Sequence, residues 1–115
     1  MKVYGIKNCN SVKKALNWLK ENNVEYEFHD FRKSGIAEEK LREWSQSVGW
    51  EQLVNKKGTT WRGLDPELQR TITDEDSAIA HMREKTSVIK RPVIEWPTGI
   101  LLGFDETKYA VTLLG

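Results

Sequence analysis

The first thirty residues place one amphipathic helix between two strand-like runs, and this order constrains the fold more than any other feature. Residues 2–6 are rich in strand-forming side chains. A helix is predicted at residues 12–22, because apolar residues recur with helical spacing at Val12, Ala15, Leu16 and Leu19. A second strand is predicted from the alternation of polar residues with Val24, Tyr26 and Phe28. Two strands joined by such a helix are expected to be parallel.

The middle of the chain changes to a polar, helical pattern without strand signals. One helix face is marked by Leu41, Trp44 and Val48, and Gly49 ends it. A short helical turn at residues 50–54 and a loop at residues 55–60 follow. Two further helices are predicted to begin at Asp65-Pro66, a cap followed by a first-turn proline, and at Thr73, which precedes three acidic residues. The sequence therefore predicts a helical insertion at about residues 37–86.

The last thirty residues return to strands and end in a helix. Residues 93–96 are strand-like, and a turn at residues 97–99 leads into the apolar residues 100–102, which is the pattern of a hairpin. Asp105 then caps a helix predicted at residues 106–113. A parallel pair completed by an antiparallel hairpin is the thioredoxin-like arrangement. The predicted fold is thus a single α/β domain, residues 1–115, with a mixed four-stranded sheet in the order β-α-β, helical insertion, β-β-α.

Length and composition limit the class of protein. A chain of 115 residues can bury a core without metal or disulfide support. Its 18 lysines and arginines nearly balance 17 aspartates and glutamates, so the overall charge does not favour nucleic acid or an anionic membrane. No apolar stretch has the length of a signal peptide or a membrane span. We therefore expect a cytoplasmic protein, and we expect it to be a monomer.

Two groups of residues carry only weak functional signals. His29 lies at the end of the second predicted strand and His81 on a polar helix, and neither is at metal-ligand spacing with the cysteine. We expect surface histidines and no metal site. The second group combines basic residues with a tryptophan on one loop and consists of Lys56, Lys57, Trp61 and Arg62. Four residues on one loop are a weak indication of nucleic-acid binding, so we expect no nucleic-acid partner.

The only cysteine, Cys9, lies where the first strand meets the helix. There it is beside unpaired backbone N–H groups and the positive end of the helix dipole, both of which favour a thiolate. Lys7, Lys13 and Lys14 add positive charge nearby. A thiol with a pKa of about 8.5 is only roughly 3% ionised at pH 7, whereas one with a pKa of about 6.5 is roughly three-quarters ionised. Cys9 is therefore a candidate nucleophile, although a lone cysteine is also commonly a small buried apolar residue.

The residues before the hairpin are expected to approach Cys9 in this arrangement. Pro92, at the start of a strand, removes an N–H and exposes backbone beside the site. Arg91 offers a fixed cation for a thiolate or an oxyanion, with N–H groups arranged for bidentate binding. The alternative is a solvated charge flanking a turn, and the pattern supports both interpretations equally.

Three segments together carry a family resemblance. They are Tyr4-Gly5-Ile6-Lys7-Asn8-Cys9, residues 55–63, and Ile89-Lys90-Arg91-Pro92-Val93. In these segments, and over essentially its whole length, the chain resembles the arsenate reductase (ArsC)/Spx family, most closely its small YffB-like branch. The resemblance implies a thioredoxin fold with an inserted helical subdomain and a cis peptide bond before Pro92. It also implies redox chemistry at Cys9, with electrons from glutathione and glutaredoxin or a related thiol system.

The chain departs from the family pattern at several positions. Arsenate reductases of this family use three arginines around the oxyanion, and Arg91 is the one clear counterpart. Asn55 and Gly103 stand at the other two positions. Each lost charged hydrogen bond should cost about 1.5–3 kcal/mol, which makes arsenate an unfavourable substrate. Residues 9–12 also lack the second cysteine typical of the Spx regulators, so an internal disulfide switch is excluded.

The residues and the resemblance together predict a thiol-disulfide oxidoreductase with Cys9 as its nucleophile. No cofactor is expected to bind, glutathione is the expected co-substrate, and glutathione or a glutaredoxin-type thiol is the expected electron donor. The predicted substrate-binding residues are Lys7, Asn8, Asn10, Ser11, Arg91 and Pro92. Two alternatives stay open, namely an arsenate reductase proper and a non-enzymatic Spx-like regulator or binding module that uses the helical insertion.

Overall fold

The computed structural model describes residues 1–115 and contains four short strands and eight helices. The strands are β1 (Lys2–Gly5), β2 (Glu27–Asp30), β3 (Val93–Trp96) and β4 (Gly99–Leu102). The helices are α1 (Asn10–Glu21), α2 (Phe31–Ser34), α3 (Glu38–Val48), α4 (Trp50–Leu53), α5 (Thr59–Arg62), α6 (Pro66–Thr71), α7 (Glu75–Glu84) and α8 (Glu106–Tyr109). A 3₁₀ turn at Thr86–Val88 precedes β3, and a π-helical turn at Ala110–Leu114 follows α8. None of the helices combines the length and the apolar character needed to span a bilayer.

The chain divides into two units. The first contains Met1–Ser34 and Arg91–Gly115, and the second contains Gly35–Lys90. All four strands belong to the first unit, whereas helices α3 to α7 make up most of the second.

The sheet of the first unit has the strand order β2-β1-β3-β4. β1 is parallel to β2 and antiparallel to β3, and β3 is antiparallel to β4. The predicted mixed four-stranded sheet is therefore confirmed. β2 and β4 are the two edge strands, and β1, which leads to the cysteine, is central.

One face of this sheet forms the core of the first unit. Val3 on β1 lies beside Phe28 on β2 and Ile94 on β3, so these side chains point to the same face. The buried cluster on this face consists of Val3, Ala15, Trp18, Leu19, Ile94 and Tyr109. Trp18 and Tyr109 meet edge to face with ring centroids 5.5 Å apart. The helical periodicity of α1 thus correctly indicated its buried side.

The second strand begins later than its sequence pattern predicts. Residues 24–26 are not in a strand, and Tyr26 is exposed. The N–H of Val24 donates to Leu19 O, which keeps this segment against the end of α1, and Asn23 has a positive φ of 57°. The ladder starts only where Glu27 N–H reaches Met1 O, because β1 offers no earlier partner.

The second unit is helical apart from one isolated bridge between Val54 and Ile89. Helix α7 begins after Asp74 rather than Thr73, because the Asp74 carboxylate accepts the N–H of Ser77 at 2.9 Å. The short helix α5 occupies part of the predicted loop.

The expectation of a surface histidine at position 81 is wrong, because His81 is only 8% exposed. His81 follows the buried residue Ala78 by three positions on α7, so it lies on the same side of the helix.

Candidate active site

Cys9 is held between β1 and α1 as the residue that caps the helix. Its backbone is extended, with φ −139° and ψ 125°, and its carbonyl accepts the first helical hydrogen bond from Lys13 N–H at 3.0 Å. The thiol is half-buried. In this position a side chain can accept hydrogen bonds from the second and third helical residues, which are Ser11 and Val12.

The absence of a side chain at Gly5 allows the start of α1 to lie close to β1. A Cβ on Gly5, the last residue of β1, would lie 2.8 Å from Val12 Cγ2. No other residue fits here without displacing Val12, which is completely buried. The side chain of Val12 therefore fixes the backbone N–H that faces Cys9.

The environment of Cys9 lowers the pKa of its thiol. Burial raises this pKa, but the N–H of Val12, the guanidinium of Arg91 and the N–H of Ser11 together outweigh burial. Arg91 acts both as a hydrogen-bond donor and as a positive charge. The net effect is a pKa below the ordinary cysteine value, so a larger share of the thiol is ionised at neutral pH.

The antiparallel register of β1 and β3 accounts for the position of Arg91. Tyr4 near the end of β1 lies opposite Val93 at the start of β3. The residues just before β3 therefore lie at the end of the sheet where β1 runs into the Cys9 turn. The Arg91-Pro92 peptide bond is cis, as the resemblance implied. Register and turn together bring the guanidinium to the sulfur.

Gly103 lies directly beside Pro92. Its N–H donates to Pro92 O at 2.9 Å, and its carbonyl accepts the hydroxyl of Tyr109. Burial raises the pKa of Tyr109, so this hydroxyl remains a neutral donor. Gly103 has φ 71°, a left-handed conformation that favours glycine. Gly103 is thus a backbone support for the turn at Pro92.

The remaining predicted binding residues differ in their surroundings. Lys7, Asn8, Asn10 and Ser11 are exposed around the thiol, and Pro92 is buried. Lys7 also lines a groove along β2.

The effect of Val12 N–H on the Cys9 pKa is what the sequence pattern missed. The periodicity places the start of the helix at Val12, whereas α1 begins at Asn10. Assigning Cys9 as the capping residue would have identified Ser11 and Val12, because caps bond to the second and third helical N–H groups. Elsewhere, no group of three or more His, Cys, Asp or Glu side chains is arranged to hold a metal ion.

Comparison with known proteins agrees with this fold. A solved structure described as the YffB (PA3664) protein is 44% identical, covers 97% of each chain and superposes with a TM-score of 0.91. The solution structure of an arsenate reductase (ArsC) related protein from Brucella melitensis is 38% identical, with 97% of this chain and 92% of that chain covered and a TM-score of 0.77. An uncharacterized protein of Haemophilus influenzae is 43% identical over 107 residues, 93% of each chain.

These likenesses confirm the thioredoxin-like fold that the sequence predicts. They extend over nearly all of the chain, so they include both the strands that position Cys9 and the helices of the second unit. The model of the ArsC family matches residues 4–112, from the middle of β1 to the π-helical turn that ends the chain. The chain belongs to the ArsC family.

Proposed function

We propose that the protein is a glutathione-linked thiol-disulfide oxidoreductase in which Cys9 is the nucleophile. The observation that carries this proposal is the half-buried thiol at the start of α1, whose pKa is lowered by Val12 N–H, the Arg91 guanidinium and Ser11 N–H. A thiolate, rather than a thiol, attacks disulfides. Membership of a family of arsenate-reductase-like proteins supports a redox role.

The proposed reaction has two thiol exchanges. The Cys9 thiolate attacks the glutathione sulfur of a mixed disulfide, so that a bond forms between Cys9 Sγ and that sulfur while the original S–S bond breaks. The second half of the substrate leaves with the electron pair as a thiolate and takes up a proton. A glutathione thiolate then attacks the glutathione sulfur bound to Cys9, which releases Cys9 and glutathione disulfide.

An external thiol is required because the chain has one cysteine. After the first exchange, no thiol of the same chain can resolve the mixed disulfide. Cys9 is only half-buried, so a second molecule can approach it. These two facts favour a monothiol cycle with glutathione, or a glutaredoxin-type thiol, as the electron donor.

The surrounding residues have separate proposed roles. Arg91 stabilises the Cys9 thiolate and receives the anionic substrate, for which its planar guanidinium is suited. Pro92 shapes the backbone edge beside the sulfur, and Asn8, Asn10 and Ser11, which flank Cys9 in the chain and are exposed, contact the substrate. Arsenate fits this site less well, because Gly103 supplies backbone hydrogen bonds where a second cation would be needed.

Incubation with glutathione disulfide, followed by intact-mass measurement, tests the proposal. Wild-type protein should gain one glutathione on Cys9, and added glutathione should remove it and restore the free thiol. Cys9→Ser should gain none, while Ser47→Ala, at an exposed position of α3, should react like wild type. Wild-type protein that stays unmodified, or that turns over arsenate efficiently without disulfide exchange, contradicts the proposal.

A further inference from the structure

A groove of about 330 Å³ runs along β2 in the first unit. Three lysines line it together with two acidic residues, a histidine, a phenylalanine and a serine. The lining residues are Lys2, Lys7, Glu27, Phe28, His29, Asp30, Lys33 and Ser34. The role proposed above for Cys9 uses none of these residues.

One end of the groove lies at the same end of the sheet as Cys9. β1 and β2 are parallel, and Gly5 at the end of β1 pairs with Asp30 at the end of β2. The chain continues from β1 to Lys7 and Cys9, and from β2 into α2, which carries Lys33. The parallel register therefore places Lys7 and Lys33 at the Cys9 end of the groove.

The charges of the groove are distributed unevenly. At the far end, Lys2 and Glu27 are partners in the register and have opposite charges, so this end has no net charge. At the Cys9 end, the lining contains two lysines and one carboxylate, that of Asp30. Asp30 Oδ1 accepts the N–H of Arg32 at 2.9 Å, which ties this carboxylate to its own backbone turn. The end nearest the thiol thus carries the excess positive charge.

The groove also borders an open strand edge. β2 is the first strand in the order β2-β1-β3-β4, so no strand pairs with its outer backbone groups. An edge strand of this kind can pair with an extended polypeptide, whose side chains then meet the residues beside it. A small disulfide would use the charges but not the edge.

We propose that this groove receives an extended, acidic polypeptide segment of the disulfide substrate, so that the substrate class is a glutathionylated protein with acidic residues near its modified cysteine. The inference rests on the proposed thiol exchange at Cys9. In that reaction the polypeptide is the half of the substrate that leaves as a thiolate, while Cys9 takes the glutathione. Carboxylates of the segment pair with Lys7 and Lys33, and its backbone follows β2.

Two glutathionylated peptides of equal length test the substrate class, one with glutamates and one with glutamines around the cysteine. With wild-type protein, kcat/KM for release of the free peptide thiol should be higher for the glutamate peptide. Lys33→Glu should reduce this preference by about twofold to fivefold, the range expected for an exposed ion pair. High salt should weaken the preference because it screens exposed charges.

Lys108→Glu is the matched control, because it makes the same charge change on α8, outside the groove. It should leave the preference as in wild type. An unchanged preference in Lys33→Glu, or no preference in wild type, overturns the inference even where glutathione disulfide still modifies Cys9. Failure of that modification overturns the proposed function itself. An equal preference for a short acidic disulfide without a peptide backbone shows that the groove binds small acids and refutes the polypeptide class.

Discussion

Replacing Gly5 with alanine tests whether the close contact between β1 and α1 positions the thiol. The new Cβ would lie 2.8 Å from Val12 Cγ2, well inside van der Waals contact. Val12 has no exposed surface and its Cγ1 would be 3.4 Å away, so a rotation of the side chain gives little relief. The helix start must therefore move away from β1, and the N–H of Val12 must move with it.

The expected cost follows from overpacking a buried contact. Forcing an extra methyl group into a packed interior costs about 1–3 kcal/mol. Loss of the flexible glycine from the unfolded chain offsets about 0.4–1 kcal/mol of this. We expect Gly5→Ala to lower the free energy of unfolding by about 1–2 kcal/mol. Because Val12 N–H helps to lower the Cys9 pKa, the same substitution should raise that pKa.

A double-mutant cycle with Val12→Ala isolates the contact. Val12→Ala alone should destabilise the protein by about 1–3 kcal/mol, since it removes buried methyl groups and leaves a cavity. In the double variant the two methyl groups no longer collide, so its total loss should be smaller than the sum of the single losses. Urea unfolding of the four proteins measures this. Additive losses, with an unchanged Cys9 pKa in Gly5→Ala, would refute the reasoning.

Three further predictions follow from the site and the core. Arg91→Ala should raise the Cys9 pKa and slow mixed-disulfide formation at pH 7 by on the order of tenfold, a loss of about 1.4 kcal/mol. Arg91→Lys should recover only part of this loss. Equal alkylation rates of Cys9 in wild type and both variants would show that Arg91 does not act on the thiol. Gly103→Arg should lower the free energy of unfolding by about 1–2 kcal/mol, because the φ of 71° at Gly103 disfavours a side chain. Gly103→Asn should lower the free energy of unfolding by less. Equal urea midpoints for wild type and both variants would contradict this prediction. Burial lowers the pKa of His81, Glu84 raises it and Lys85 lowers it further, and the net effect is a lowered pKa. The unfolded chain therefore binds more protons, and stability should fall as the pH drops below about 6.5, the unfolded value. His81→Leu should show a smaller fall in stability between pH 7.5 and 5.5, and an equal fall would exclude His81 as the cause.

Local periodicity was sufficient to predict the elements that carry the site. Helix α1 shows a helical apolar repeat, and the hairpin of β3 and β4 has a turn between two apolar runs, so the order of elements and the mixed sheet follow from the pattern. The start of β2 did not follow from it, because a strand begins only where a partner exists. The alternation at residues 24–26 lies before the first residue of β1 that can pair.

Long-range placement was only partly predictable from the sequence. The order of elements predicted that the residues before the hairpin approach Cys9, but it left open whether Arg91 acts on the thiol, because that depends on the antiparallel register that sets Tyr4 opposite Val93. The left-handed backbone of Gly103 and the burial of His81 likewise depend on tertiary surroundings. Composition around these residues carries no signal for either feature.

The pH dependence of Cys9 glutathionylation measures the central claim most directly. The rate of mixed-disulfide formation with glutathione disulfide should rise with the thiolate fraction, and thiolate absorbance should rise over the same pH range. The account predicts a shared midpoint below the value of a free cysteine, about 8.5. A midpoint at or above that value would contradict the account, because the N–H groups of α1 and the Arg91 guanidinium would then give the thiolate no net stabilisation.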